Sequence, residues 1–292
     1  MVRPNYCIVV GSQRSGTTLV AQMLGAHSNS VVIDEEDGLY AWTSALMQGA
    51  GNSSDLYYAA IQNAQNKYVK PEKRFSTLDI IPRIQVLVLK APNLTYSWSE
   101  LASVMPEARI VYVYRGAKAI VASMKKLQSV SIVENQTRYM LRNKTILQRF
   151  SHEMQLLCSN SEPACKKMTL VALIKMSFIQ DFRKAGFDVE MLQYEKLVST
   201  PKVEVARLLR STGLGYEDQC VDYHQQYQGV GPGFTLRTRK VDKDSVYTWR
   251  HVLSEKEQRC VDEVVRKFLD KHGRLFEACS MEYIQSRLNV DV

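Results

Sequence analysis

A chain of 292 residues with 45% hydrophobic content can bury a substantial core, and its formal net charge of +8 favours an anionic partner. It carries no recognition motif of the nucleic-acid-binding folds and no dense basic run with interleaved aromatics, so nucleic acid is not an expected partner. No stretch approaches about 18 consecutive apolar residues and the lead into the first strand is too short for a secretory signal, which predicts a cytoplasmic protein without a membrane partner.

The first apolar run, Tyr6 to Val10, predicts a strand. It enters Gly11-Ser12-Gln13-Arg14-Ser15-Gly16-Thr17-Thr18 directly, and helical spacing follows over Leu19 to Ala26. Glycines in a strand-to-helix turn let backbone N–H groups face inward, and the helix N-terminus adds partial positive charge, so this loop is suited to an oxyanion. Its spacing matches the nucleotide-binding P-loop except that Thr17 stands where the motif has lysine. The cation is Arg14 instead.

Further strands are predicted at Val31 to Ile33, Val86 to Leu89, Arg109 to Tyr114 and Val189 to Tyr194. Helical periodicity covers Leu39 to Gln48, Asp55 to Lys67, Trp98 to Val104, Ala117 to Leu127, Ser131 to Leu157 and Thr169 to Ala185. Thr200-Pro201 opens another helix, and Ser254 with Glu257 forms a capping box for a C-terminal one. The stretch Gln225 to Gly233 reads as a mobile loop. Strand and helix in alternation predict an α/β fold, a P-loop-type central parallel sheet flanked by helices, in a single domain over residues 1–292.

Ligands of open parallel sheets sit beyond the carboxyl ends of the strands. The residues there are the Arg14 loop, then Asp34-Glu35-Glu36, then Lys90, then Arg115, then Tyr194-Glu195. An oxyanion cradle, a carboxylate cluster, two cations and a tyrosine thus share one sheet edge. The six cysteines contain no Cys-x-x-Cys pair, and no histidine stands at zinc-ligand spacing, so no metal is expected. Cys158 and Cys165 flank a short segment that a disulfide could close, although reduced thiols are the expected state. His27, ending the first helix, reads as a packing or capping residue.

Together these residues resemble the sulfotransferase family that uses 3′-phosphoadenosine 5′-phosphosulfate (PAPS), most closely its tyrosylprotein sulfotransferase-like branch, from the first strand to about Trp249. The branch carries Arg-Ser-Gly-Thr-Thr-Leu, Met-Leu-x-Ala-His and a Glu-Glu pair, which here are Arg14 to Leu19, Met23 to His27 and Glu35-Glu36. The resemblance implies that Gln13, Arg14, Ser15, Gly16, Thr17 and Thr18 bind the 5′-phosphosulfate, while Arg115 and Ser123 bind the 3′-phosphate. It further implies Glu35 as catalytic base, Lys90 and Arg14 as catalytic cations, and Tyr194 beside the nucleotide. Basic residues before Trp249 close over the nucleotide in the family, which makes Arg237, Arg239, Lys240 and Lys243 candidates, with Arg239 and Lys240 carried forward. The chain departs from the family at Arg115-Gly116-Ala117 and at Lys90-Ala91, where aspartate usually follows the cation.

The chemistry so implied is in-line transfer of a sulfuryl group from PAPS to an acceptor hydroxyl, leaving 3′-phosphoadenosine 5′-phosphate (PAP), without a metal. The acceptor is a peptide tyrosine, a carbohydrate or a small alcohol or phenol. Asp34 and Glu36 compete with Glu35 as base, and strand alternation predicts that both face away from it. Two other readings stand beside this one: a P-loop kinase or nucleotide hydrolase with an altered loop, and a non-catalytic nucleotide-binding protein. The oligomeric state is not legible.

Overall fold

The computed structural model of the protein describes residues 5–35, 39–46, 70, 72, 84–127, 131–231 and 234–276. Strand β1 (Asn5–Gly11) leads through the glycine loop to helix α1 (Thr17–Gly25), strand β2 (Ser30–Asp34) and helix α2 (Tyr40–Leu46). Strand β3 (Val86–Lys90) is followed by a 3-10 turn at Pro92–Tyr96, helix α3 (Trp98–Val104) and strand β4 (Arg109–Tyr114). Then come helices α4 (Ala117–Lys125), α5 (Ile132–Leu141), α6 (Lys144–Arg149), α7 (Ser151–Cys158), α8 (Ala164–Met176) and α9 (Ile179–Lys184). Strand β5 (Val189–Gln193), helices α10 (Tyr194–Ser199) and α11 (Pro201–Ser211), the short strands β6 (Val230–Gly231) and β7 (Thr235–Leu236), and helices α12 (Trp249–Val252) and α13 (Glu255–His272) complete the chain.

The five expected strands are present within a residue of their expected bounds. The long helix expected over 131–157 is instead three, because Asn143 accepts the Ile146 N–H and starts a new helix where the first one ends. The helix expected over 169–185 starts earlier and breaks at Ser177, whose hydroxyl bonds back to the Ile174 carbonyl. Residues 55–67, with Glu36 and Cys279, lie outside the described residues. Part of the expected loop at 225–233 pairs antiparallel with the chain beyond it, Val230 opposite Leu236. Among the described residues no helix is long and apolar enough to cross a membrane.

The chain weaves two compact units. The first comprises 1–11, 16–114 and 181–243. Its five strands are all parallel in the order β2-β3-β1-β4-β5, so β1 and β3 are flanked on both edges and read as continuous apolar runs. Alternate residues Cys7, Val9, Val86, Val88, Val111 and Val113 share one core with Val20, Met23 and Leu24 of α1 and with Val205, Leu208 and Leu209 of α11. The β2–β3 register sets Asp34 beside Lys90 at the carboxyl ends of both strands. His27 does the packing work expected of it: Asn29 N–H donates to its Nδ1 at 3.0 Å, and Nε2 lies 3.1 Å from the Gly215 carbonyl.

The second unit comprises 12–15, 115–180 and 244–292. Ala119, Val121 and Ala122 of α4 pack with Trp249, Leu253 and Val261. The expected capping box holds α13, with the Ser254 and Glu257 side chains each bonding the other's backbone. Glu153 of α7 is buried against α13, where its Oε1 takes Lys271 Nζ and His272 Nε2, each at 3.0 Å, beside the stacked rings of Phe150 and Phe268. Burial raises the Glu153 pKa, but these two hydrogen bonds outweigh it and hold the carboxyl below its ordinary value. A folded-state value below the unfolded one contributes stability above the unfolded pKa, and that stability is lost as pH falls through the folded value. Glu153→Gln is therefore expected to cost about 2 kcal/mol at neutral pH, with the gap to wild type closing below about pH 4 in denaturant titrations.

Candidate active site

Within the second unit the loop residues 12–15 meet the start of α4. Ser15 is fully buried and donates both its N–H and its hydroxyl to the Ser12 carbonyl, at 3.2 and 2.7 Å, which closes the loop on itself. Arg14 holds a left-handed backbone with φ +68°, uncommon for a residue with a side chain and a form of local strain that accompanies functional loops. Its Nε donates to Ser123 Oγ at 2.9 Å. Arg115 Nη1 donates to the Arg14 carbonyl at 3.2 Å, and Nη2 donates to the Ser245 carbonyl at 2.7 Å. Arg14 is thereby hydrogen-bonded to Arg115, 101 residues on, through its carbonyl and to Ser123, 109 residues on, through its guanidinium. Ser123 lies two turns along α4 from Arg115, and the reach of the Arg14 side chain brings the two into one network.

The first unit holds the remaining candidates. The end of β1 is fixed by the Gly11 N–H, which donates to Thr95 Oγ1 at 3.1 Å. Gly16 caps α1 at φ +107°, and the Tyr194 ring lies so close that a Cβ on Gly16 would stand 2.4 Å from its Cδ2. Glycine is required there on both counts. Thr17 and Thr18 then open α1. Gly16→Ala is expected to lower the melting temperature by roughly 4–8 °C, from about 2 kcal/mol of backbone strain and clash. Calorimetry of the Gly16→Ala/Tyr194→Ala double variant should return the steric share of that loss.

Lys90, 2% exposed, donates to Glu35 Oε2 at 2.8 Å and to Asp34 Oδ1 at 3.2 Å. Burial lowers the Lys90 pKa, but the two carboxylates more than offset this and its value rises, so the ammonium stays charged at neutral pH. Arg237, 1% exposed, donates from Nη2 to Asp34 Oδ2 at 3.2 Å. Two cations and two carboxylates thus form a neutral chain in which Asp34 joins both cations and Glu35 sits at the end. The Asp34 side chain is 3% exposed and that of Glu35 22%, so Glu35 is the carboxylate with an open side. Alternation alone does not set the direction of Asp34, because its Oδ1 accepts the Glu35 N–H at 2.7 Å and folds back onto the same lysine.

A sequence model of the sulfotransferase family matches residues 7–218, about three quarters of the chain. The chain belongs to the sulfotransferase family. The nodulation protein NoeE of Sinorhizobium fredii is 23% identical over 283 residues, and the chain spans 64% of that relative's length. Solved structures share the fold, among them the following two. A sulfotransferase domain from the curacin biosynthetic pathway has a TM-score of 0.53 at 14% identity, covering 90% of this chain and 98% of its own. A sulfotransferase from Alicyclobacillus acidocaldarius gives 0.51 at 12% identity, covering 95% and 96%.

The family match ends before the basic residues at 237–243. Arg239 and Lys240 are exposed; Arg239 pairs with Asp242, and its carbonyl accepts the Tyr223 hydroxyl. Arg237 instead turns inward to Asp34, and its guanidinium packs so closely on Gly231 that a Cβ there would stand 3.0 Å from Nε. Asp34 and Arg237 as a buried ion pair were not legible from sequence. The one available signal was an acidic residue at the end of β2 with a second carboxylate beside it. No group of three or more histidine, cysteine or acidic residues arranged to hold a metal is present among the described residues.

Proposed function

We propose that this sulfotransferase moves a sulfuryl group from PAPS to an acceptor hydroxyl, with Glu35 as the base. The observation that carries the reading is the Lys90 ammonium held between Asp34 and Glu35, with the more exposed carboxylate adjoining it. The loop suits an anionic donor: residues 11–18 carry one cation and no carboxylate, and they lead into the N-terminus of α1. Gln13, Arg14, Ser15, Gly16, Thr17 and Thr18 would hold the phosphosulfate end, Arg115 and Ser123 the 3′-phosphate, and Tyr194 the nucleotide, with Arg239 and Lys240 as exposed cations available to it.

PAPS supplies the activated sulfuryl group. The chain's own residues do the rest. Glu35 takes the proton of the acceptor hydroxyl as its oxygen attacks sulfur. Lys90 and Arg14 stabilise the charge that gathers on the departing phosphate oxygen, and the resulting PAP retains the 3′-phosphate. Asp34 keeps Lys90 paired after Glu35 becomes neutral, so the ammonium is never left buried without a counter-charge. No step calls on a metal.

The acceptor is a hydroxyl-bearing peptide, carbohydrate or small molecule. Incubation with sulfur-labelled PAPS and pools of tyrosine peptides, sugars and phenols tests the reading. Label transferred to one pool is the expected result. Magnesium-dependent ATP hydrolysis with no label transfer would establish the nucleotide-hydrolase reading in its place.

A further inference from the structure

We propose that Cys165 and Cys260 are a modification site, converted to an intrachain disulfide by low-molecular-weight disulfides of the glutathione class. Their sulfurs are 2.9 Å apart and partly buried, although the residues are 95 apart in sequence. Cys165 is the second residue of α8 and Cys260 the sixth of α13, and these two helices pack directly on one another within one unit. An S–S bond of about 2.05 Å needs the sulfurs to approach by less than about 1 Å. This inference does not depend on the nucleotide chemistry.

The other described cysteines lack this arrangement. Cys7 and Cys220 are buried at 1% and 0% exposure, where a small disulfide does not reach them. Cys158 is exposed and free, and the partner the fold gives Cys165 is Cys260 across the helix interface. Cys165 and Cys260 are each partly exposed, so a small disulfide can reach them.

The two sulfurs have distinct roles. Burial, followed by the neighbouring Cys165 thiol, pushes Cys260 up to about 12, so Cys260 is assigned the second, resolving step. Cys165, in the first turn of α8, is the attacking sulfur. Cys165 sulfur attacks oxidised glutathione, forming a mixed disulfide and releasing one reduced glutathione. Cys260 then loses its proton to solvent and attacks the Cys165 sulfur, expelling the second reduced glutathione. Two thiols are oxidised and one glutathione disulfide is reduced. The product joins α8 covalently to α13 beside the Trp249 cluster, to which Cys165 already contributes.

The test is to expose the reduced full-length protein to oxidised glutathione, digest it without reductant and map the linked peptides by mass spectrometry. The expected product joins Cys165 to Cys260 with loss of two hydrogen masses. It raises the melting temperature by about 5 °C or more, reversibly with dithiothreitol, because the bond closes a long loop. Cys260→Ser should stop at a glutathione adduct on Cys165, while Cys158→Ser should form the bond as wild type does. A Cys158–Cys165 linkage, a stable glutathione adduct in the wild type, or two free thiols under excess oxidant would each overturn the proposal, and the wild-type map alone decides this if a variant fails to fold.

Discussion

Glu35→Gln is expected to lower kcat by about 100-fold or more while leaving PAP affinity within about twofold of wild type. The substitution keeps the side chain's size and an oxygen that can accept from Lys90 Nζ, now 2.8 Å away, but it removes the carboxylate proposed as the base. A loss confined to turnover separates a base from a residue that merely shapes the pocket. Asp34→Asn is the comparison that isolates the role. Asp34 is enclosed by Lys90 and Arg237, so its loss acts through the position of Lys90 and through stability. Stopped-flow single-turnover assays with calorimetric PAP titration measure both quantities. Full activity in Glu35→Gln would move the base to another residue.

Lys90→Met should reduce kcat by about 10² to 10³, the range expected when one preorganised charge aimed at the leaving group is removed. It should also cost about 3 kcal/mol of stability, because Asp34, 2% exposed, loses one of its two buried cations. Methionine fills much of the same volume, so a cavity contributes little. Arg237→Met provides the internal control. It removes the other cation on Asp34 and should destabilise by a similar amount, with a rate loss under about tenfold, since Arg237 touches Asp34 rather than the reacting carboxylate. Parallel denaturant melts and kcat measurements on the two variants check this. Equal rate losses would mean that Lys90 acts only through folding.

The parallel sheet was legible because β-branched runs at 6–10, 86–89 and 109–114 are buried on both faces and admit no other period. The strand-to-helix loop was legible because glycine at 11 and 16 has a conformational reason, and both positions hold positive φ. The contacts of those residues were not. Arg14 to Ser123 joins residues 109 apart, and Arg237 to Asp34 joins residues 203 apart. Such pairings depend on chain path, which no local period encodes. Residues 131–157 failed as one helix because apolar spacing continues unbroken across the Asn143 cap, and a cap inside a periodic segment is decided by a single hydrogen bond. The separate placements of the basic residues at 237–243 were not legible either. Burial, which sequence does not give, separates the inward Arg237 from the exposed Arg239 and Lys240.

The most direct test of the donor assignment is calorimetric titration of PAP into wild type, Arg14→Ala and Arg115→Ala, with magnesium ATP as the comparison nucleotide. Micromolar PAP binding in wild type, at least 10-fold weaker in each arginine variant and much tighter than ATP, is the predicted result. PAP binding that is no tighter than ATP, or that is unchanged in both arginine variants, would contradict it.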